Sequence, residues 1–297
     1  MRIAISGATG LIGSHLLPLL RSAGHEIRVL SRRAAPPATF AWNPLAAPPP
    51  EESLAGASAV IHLAGEPVAQ RWSPKVKQLI RDSRVTGTTH LVEGLARLAV
   101  RPEVLISASA VGFYGSRGDE ELTEESSPGQ GFLPETCVAW EAAARKAEAL
   151  GIRVVLLRIG VVLSPDGGAL AKMLPPFRAG VGGPIAGGRM WMPWIHAEDL
   201  ARLIVFTLEN REASGAWNAV GPNPVRNSEF TAALAHALKR PAFLPVPSFS
   251  LRLLYGEMAE VVLGSQKVIP ARALQAGFAF RFATIDEAFR NLFRPKA

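Results

Sequence analysis

The run Gly7-Ala8-Thr9-Gly10-Leu11-Ile12-Gly13 has the residue types and spacing to bind a pyrophosphate. It lies behind the apolar stretch Ile3-Ala4-Ile5 and ahead of Leu16-Leu17, so a strand breaks into glycines and re-emerges as a helix. Glycines let the backbone approach an anion closely, and the first helical N–H groups then face its charge. A second cluster, Ser31-Arg32-Arg33, ends the next strand. A site for NAD(H) usually offers a carboxylate there, about 20 residues past the turn, to the ribose 2′-hydroxyl. Between Gly13 and Arg33 the sole acidic residue is Glu26, which precedes that strand. A hydroxyl with two guanidinium groups suits a 2′-phosphate and favours NADP(H); the alternative is a pair of solvated loop charges.

The elements that must position these residues alternate between β-rich runs and helical periodicity. Ile27 to Leu30, Ala59 to Leu63, Val104 to Ser107 and Val154 to Leu157 read as strands. Between them lie a helix through Leu16 to Ala23, an amphipathic stretch from Ser73 to Leu98 and a helix from about Glu135 to Leu150, ended by Gly151. That order predicts βαβ units and an α/β fold: a Rossmann-type doubly wound parallel sheet, with ligands bound beyond the carboxyl ends of its strands. Pro36-Pro37 and Pro44 to Pro50 mark a loop-rich connection to which no chemistry is assigned.

Composition narrows the function classes. The 297 residues are 48% hydrophobic, enough for a substantial core. No apolar run reaches the roughly 18 residues of a membrane helix, and Gly7 and Gly10 interrupt the apolar start too early for a signal peptide, so a cytoplasmic location is expected. One cysteine excludes an internal disulfide, and the six histidines show no metal-ligand spacing, so no metal is expected. The net charge of +7 raises nucleic-acid binding, yet the basic residues are scattered; an anionic cofactor explains the excess without a nucleic-acid or membrane partner.

The glycine turn, His62-Leu63-Ala64-Gly65, and Ser107-Ala108-Ser109 ahead of Tyr114-Gly115 together resemble the extended short-chain dehydrogenase/reductases. The closer resemblance is to a divergent "epimerase family protein" branch of NAD-dependent epimerase/dehydratase-like oxidoreductases. It is carried by Gly65-Glu66-Pro67, Ile80 to Arg84, Trp140 to Ala143, Gly182-Gly183-Pro184, Trp194-Ile195-His196 and Leu263 to Gln266. The resemblance covers nearly the whole chain and implies a cofactor domain, residues 1–163 and about 195–222. A smaller C-terminal substrate lobe would comprise about 164–194 and 223–297. Leu63, Ala64, Gly65, Glu66, Ser107 and Ile159 join the glycine turn as expected cofactor contacts.

The resemblance also implies an Asn, a Ser or Thr, a Tyr and a Lys at the active site, and here this chain departs. The Ser position is kept as Ser109, with Ser107 a nearby alternative, whereas the Tyr-x-x-x-Lys pair falls on Cys137 and Glu141, and the Asn falls on Arg84. Cys137 and Glu141, four apart, share a helix face. Opposite charges at Arg84 and Glu141 predict an ion pair in the pocket, with Glu141 accepting a ribose hydroxyl; the alternative is two ordinary surface charges. Cys137 is a candidate nucleophile or an inert packed thiol. Tyr114 is expected at the pocket rim, as a phenol donor or an aromatic shoulder. Gly180 to Trp194, with Arg189 and two tryptophans, reads either as a mobile loop facing substrate or as a packed one, and His196 as a structural histidine.

Two functions follow. The first is an NADP(H)-dependent epimerase/dehydratase-like oxidoreductase of a small, nucleotide-linked or carbonyl-bearing substrate, monomer or homodimer, with a rearranged acid/base set around Ser109. The second is an NADP(H)-binding sensor or interaction protein without turnover.

Overall fold

Uninterrupted β-branched and leucine runs form the strands, because both faces of a parallel sheet are covered and each strand must be apolar on both sides. The computed structural model describes residues 1–32 and 39–294. Its centre is a seven-stranded sheet in the order Gly215–Ala219, Arg153–Ile159, Val104–Ala110, Ala59–His62, Arg2–Ser6, Glu26–Ser31, Thr39–Ala41, with every neighbouring pair parallel. Successive side chains go to opposite faces. Ile3, Ile5, Ile61, Ile106, Val155 and Leu157 join one apolar cluster with Leu200, Leu203 and Ile204. Ala4, Val60, Leu105, Val154 and Leu156 join the other with Leu91, Leu95 and Trp42. This is the doubly wound arrangement that the alternating pattern predicts. The strand order reverses between Arg2–Ser6 and Ala59–His62, where such sheets open a ligand crevice.

Helix positions agree closely with the sequence reading, with instructive differences at the ends. The first helix spans Leu11–Ser22, so it begins inside the glycine turn rather than after it. Ser73 caps the helix Pro74–Ala96 by accepting from the Val76 N–H. The helix expected from Glu135 starts earlier, at Phe132, and runs to Arg145; a tighter 3₁₀ turn over Lys146–Leu150 completes it, stopped by Gly151 at φ 79°. The proline-rich connection is more structured than its composition suggests: Trp42 is buried, Glu51–Leu54 is a short helix, and the Pro44 carbonyl accepts from His90 Nδ1 at 2.8 Å. Arg33 and Pro36-Pro37 lie outside the described residues.

A third apolar cluster sits beyond the sheet. The strand pair Val161–Leu163 and Trp194–His196 meets the helices Gly168–Arg178, Asn227–Leu238 and Ile285–Leu292. Its centre is an edge-to-face pair, Phe230 on Phe289 at 5.1 Å. Trp194 is buried there and donates from Nε1 to the Asn223 carbonyl, which decides the Gly180 to Trp194 alternatives for that tryptophan in favour of packing. His196 is buried too, and its Nδ1 caps the helix Ala197–Glu209 through the Glu198 N–H. The chain then folds back on the loops beyond the serine strand: Lys267–Val268 pairs with Glu121–Leu122 in a separate two-stranded sheet, and Gln266 Nε2 donates to the carbonyls of Val111 (2.8 Å) and Gly115 (2.9 Å).

Candidate active site

The glycine turn is built as tightly as an anion cradle requires. Gly7 has φ 75°, and a Cβ there would sit 2.6 Å from the Leu63 carbonyl carbon and 2.7 Å from the Ala64 nitrogen. A Cβ on Gly13 would sit 2.4 Å from the Ala8 carbonyl oxygen. Both positions therefore admit only glycine, the first by conformation and contact, the second by contact. The helix beyond begins at Leu11; Gly10 before it has no side chain to cap it, and no acid stands in its first turn. Its positive end is left for an external anion.

A cleft of about 1010 Å³ opens over this turn. Gly7, Thr9, Ser31, Arg32, Leu63, Ala64, Gly65 and Glu66 all line it, bringing together residues from three separate strand ends. Gly10, Leu11, Ile12 and Gly13 continue the same turn into the helix. Its far wall is Trp42, Asn43, Pro44 and Leu45 with Leu79 and Ser83, none of which the sequence reading assigned to the site. Beneath the cleft His62 is buried, its Nδ1 2.5 Å from Ser6 Oγ and its Nε2 without a partner among the described residues. Burial lowers its pKa from 6.5 to about 4, so the ring is neutral near pH 7.

The residues at the family's catalytic positions form a different arrangement from the one expected. Glu141 does not pair with Arg84. Its carboxylate is gripped by Arg158, Nε to Oε1 at 2.8 Å and Nη2 to Oε2 at 3.0 Å, and Ser109 Oγ donates to Oε1 at 2.7 Å. All three side chains are buried. Burial pulls the Arg158 guanidinium down, but its bonds to Glu141 outweigh that and hold it above its ordinary value. Arg84 instead donates to the carbonyls of Glu66 (3.0 Å) and Ile80 (3.1 Å), stacks on Trp140 at 5.1 Å and lies under Gly65. It supports the cleft loop rather than a carboxylate.

Tyr114 is not at the rim. It is fully buried, donates to Asn218 Oδ1 at 2.6 Å and accepts from Arg158 Nη1 at 3.0 Å. Burial raises its pKa, so it holds its proton. Cys137 is packed with Val111, Phe113, Leu122 and Val268, and burial pushes its thiol up to about 12. That removes the thiolate a nucleophile needs. Ser107 is buried with Oγ turned to the Ala108 carbonyl, and Ile159 packs against the sheet cluster; neither lines the cleft. Arg158 and Asn218 are the functional-looking residues that sequence reasoning left without a role.

Among the described residues no helix is long and apolar enough to cross a membrane, and no group of three or more His, Cys, Asp or Glu side chains could hold a metal ion.

Comparison with known proteins agrees with this architecture. Residues 3–220 match the model of the NAD dependent epimerase/dehydratase family, and residues 246–292 match a domain of unknown function, DUF1731. The chain is 44% identical to the epimerase family protein Mb2239 of Mycobacterium bovis, over 96% of this chain and 95% of that one. It is 37% identical to the epimerase family protein YfhF of Bacillus subtilis, over 98% of each. The crystal structure of human epimerase family protein SDR39U1 with NADPH superposes with a TM-score of 0.91 at 34% identity, covering 100% of both chains. With its glycine turn, its strand order and these relatives, the chain belongs to the NAD dependent epimerase/dehydratase family.

Proposed function

We propose that this protein binds NADP(H) in the cleft over Gly7 to Gly13 and is an epimerase/dehydratase-like oxidoreductase of a small alcohol or carbonyl compound. The observation that carries the reading is the uncapped helix start beneath a glycine cradle, next to a strand end that offers Ser31 and Arg32 and no carboxylate. A relative that superposes over its full length was crystallised with NADPH, which supports the same cofactor here. Residues 1–163 and 195–222 would hold it, and 164–194 with 223–297 would complete the substrate side.

Each residue then has a task. Gly7, Gly10 and Gly13 admit the pyrophosphate, and the N–H groups after Thr9, at Leu11 and Ile12, meet its charge. Ser31 and Arg32 take the 2′-phosphate. Leu63, Ala64, Gly65 and Glu66 form the floor, with Arg84 bracing that floor from below. The bound cofactor supplies the hydride chemistry.

The chain's own contribution is proton handling without Tyr or Lys. Ser109 Oγ donates to Glu141, so its lone pairs can accept a substrate hydroxyl proton while Glu141 receives the serine's. Arg158 holds that carboxylate in place through two hydrogen bonds. A second reading, cofactor binding without turnover, is favoured by one observation: Arg158 already occupies both Glu141 oxygens. Titrating the protein with NADPH and NADH by nicotinamide fluorescence, then screening alcohols and carbonyls for absorbance change at the nicotinamide band, separates the outcomes. NADPH binding with turnover supports the enzyme, and tight NADPH binding silent across the panel selects the second reading. Absence of NADPH binding defeats both.

A further inference from the structure

Among the described residues, the segment 243–261 holds six large apolar side chains that stand in solvent: Phe243, Leu244, Phe249, Leu253, Leu254 and Val261. Elsewhere along the chain such side chains are isolated. The segment is held in place. Leu244 donates its N–H to the Gly182 carbonyl at 3.2 Å, and Val246 donates to the Pro184 carbonyl at 2.9 Å. The helix Ser248–Tyr255 follows, with Leu251 buried beneath it, while Phe249 and Leu253, one turn apart, share the outer face at 70% and 74% exposure. Arg252 Nε donates to Glu260 Oε1 at 2.9 Å, which ties this helix to Ala259–Leu263, the carrier of Val261. Its far end is fixed too: Arg71 Nη1 donates to the Leu253 carbonyl at 3.1 Å and to that of Leu254 at 3.4 Å.

The charges around this surface restrict what covers it. Arg252 is matched by Glu260, Lys77 by Glu257, and Arg71 lies on the helix's C-terminal carbonyls. A helix that rests on an anionic membrane carries unmatched Lys and Arg on its polar face, and a strongly charged partner needs a net charge to meet. This face offers neither. A second copy of the chain requires instead a surface that complements itself, because a two-fold contact sets the same patch on both sides. An apolar centre bordered by one cation and one anion, Arg252 and Glu260, each more than half exposed, meets that condition.

We propose that residues 243–261 are the interface of a two-fold homodimer, with Phe249 and Leu253 at its centre. The area agrees. The combined exposure of the six side chains corresponds to on the order of 600 Å² of side-chain surface. A standard interface takes about 800 Å² from each partner, and in homodimers about 65% of it is apolar, so each protomer must supply roughly 500 Å² of apolar surface. The segment supplies it without help from the rest of the chain. Its backbone is already tethered at both ends and in the middle, so little ordering is left to oppose association. This assignment does not depend on what binds or reacts in the cofactor cleft.

The test is sedimentation velocity of the full chain from about 1 to 100 μM, alongside Phe249→Glu and Leu253→Glu. Each substitution places a carboxylate at the centre of the patch, and because both side chains stand in solvent the protomer keeps its fold, which far-ultraviolet circular dichroism verifies. The expected result is a wild-type dimer whose dissociation constant rises about hundredfold or more in either variant. A wild type that stays monomeric at about 100 μM overturns the proposal. If that monomer also floats with phosphatidylserine vesicles, the face belongs to a membrane instead. A dimer unaffected by both substitutions overturns it as well, by placing the interface on another surface.

Discussion

Arg158 and Glu141 form a buried, two-pronged ion pair at the position where the family resemblance implies a lysine. The pair reaches across from the strand Arg153–Ile159 to the helix Phe132–Arg145, and Ser109, Tyr114 and the Glu124 carbonyl all bond into it. It fixes the strand end and the helix in one relative position.

Breaking one side of such a pair leaves an uncompensated charge. Arg158→Met or Glu141→Leu should each cost about 3–5 kcal/mol, read by urea unfolding, while the Arg158→Met/Glu141→Leu double variant should recover much of the loss. Equal, additive losses would mean that the two side chains do not share an interaction.

Cys137 tests the reading of the family's tyrosine position. With its pKa raised to about 12 by burial, the thiol should resist iodoacetamide near pH 8 in the folded protein and react fully in urea. Rapid alkylation of the native protein, followed by mass spectrometry, would show an accessible thiolate.

His62 predicts an acid sensitivity. The unfolded chain takes up a proton near pH 6.5 that the folded chain refuses until about 4, so stability is complete above 6.5 and falls as pH drops through that window. Between about pH 7 and 5 the loss should approach 2 kcal/mol, and His62→Gln should remove most of that slope. The same urea midpoints at both pH values decide it; an unchanged slope would assign the loss elsewhere.

Arg32→Ala should weaken NADPH binding about tenfold and leave NADH nearly unaffected, since one charge-assisted fork to a 2′-phosphate is removed. Fluorescence titration of both nucleotides checks the selectivity. Parallel losses for the two would point to a general effect on the cleft.

Gly7→Ala should lower stability by roughly 2 kcal/mol or more and abolish NADPH binding, because the added Cβ meets backbone and the residue is left-handed. A variant of native stability that still binds NADPH would remove the cradle from the argument.

What was legible in the sequence follows from the range of the interactions. The strands, the first helix and the glycine turn depend on neighbours within a few residues, so periodicity and the Gly7 to Gly13 spacing reveal them. The partner of Glu141 depends on which strand end faces one turn of a helix 17 residues away, and charge alone suggested Arg84 instead of Arg158. Tyr114 looked like a rim residue because its polar tip implies water, yet Asn218 and Arg158 satisfy that tip in the core. The wall from Trp42 to Leu45 was hidden because proline-rich composition reads as a connection, while its packing comes from distant side chains such as His90.

The return of the chain at Gln266 to Val268 has a consequence for how this protein could be divided. One amide from Gln266 satisfies two carbonyls, at Val111 and Gly115, in the loop that follows the serine strand, and the next two residues extend Glu121–Leu122. A cut after residue 222 would therefore leave the Val111 and Gly115 carbonyls without this donor. The segment Gln266 to Val268 is less part of an appended module than the far half of a clasp on the loop that follows the serine strand, so a change in either half is felt in the other.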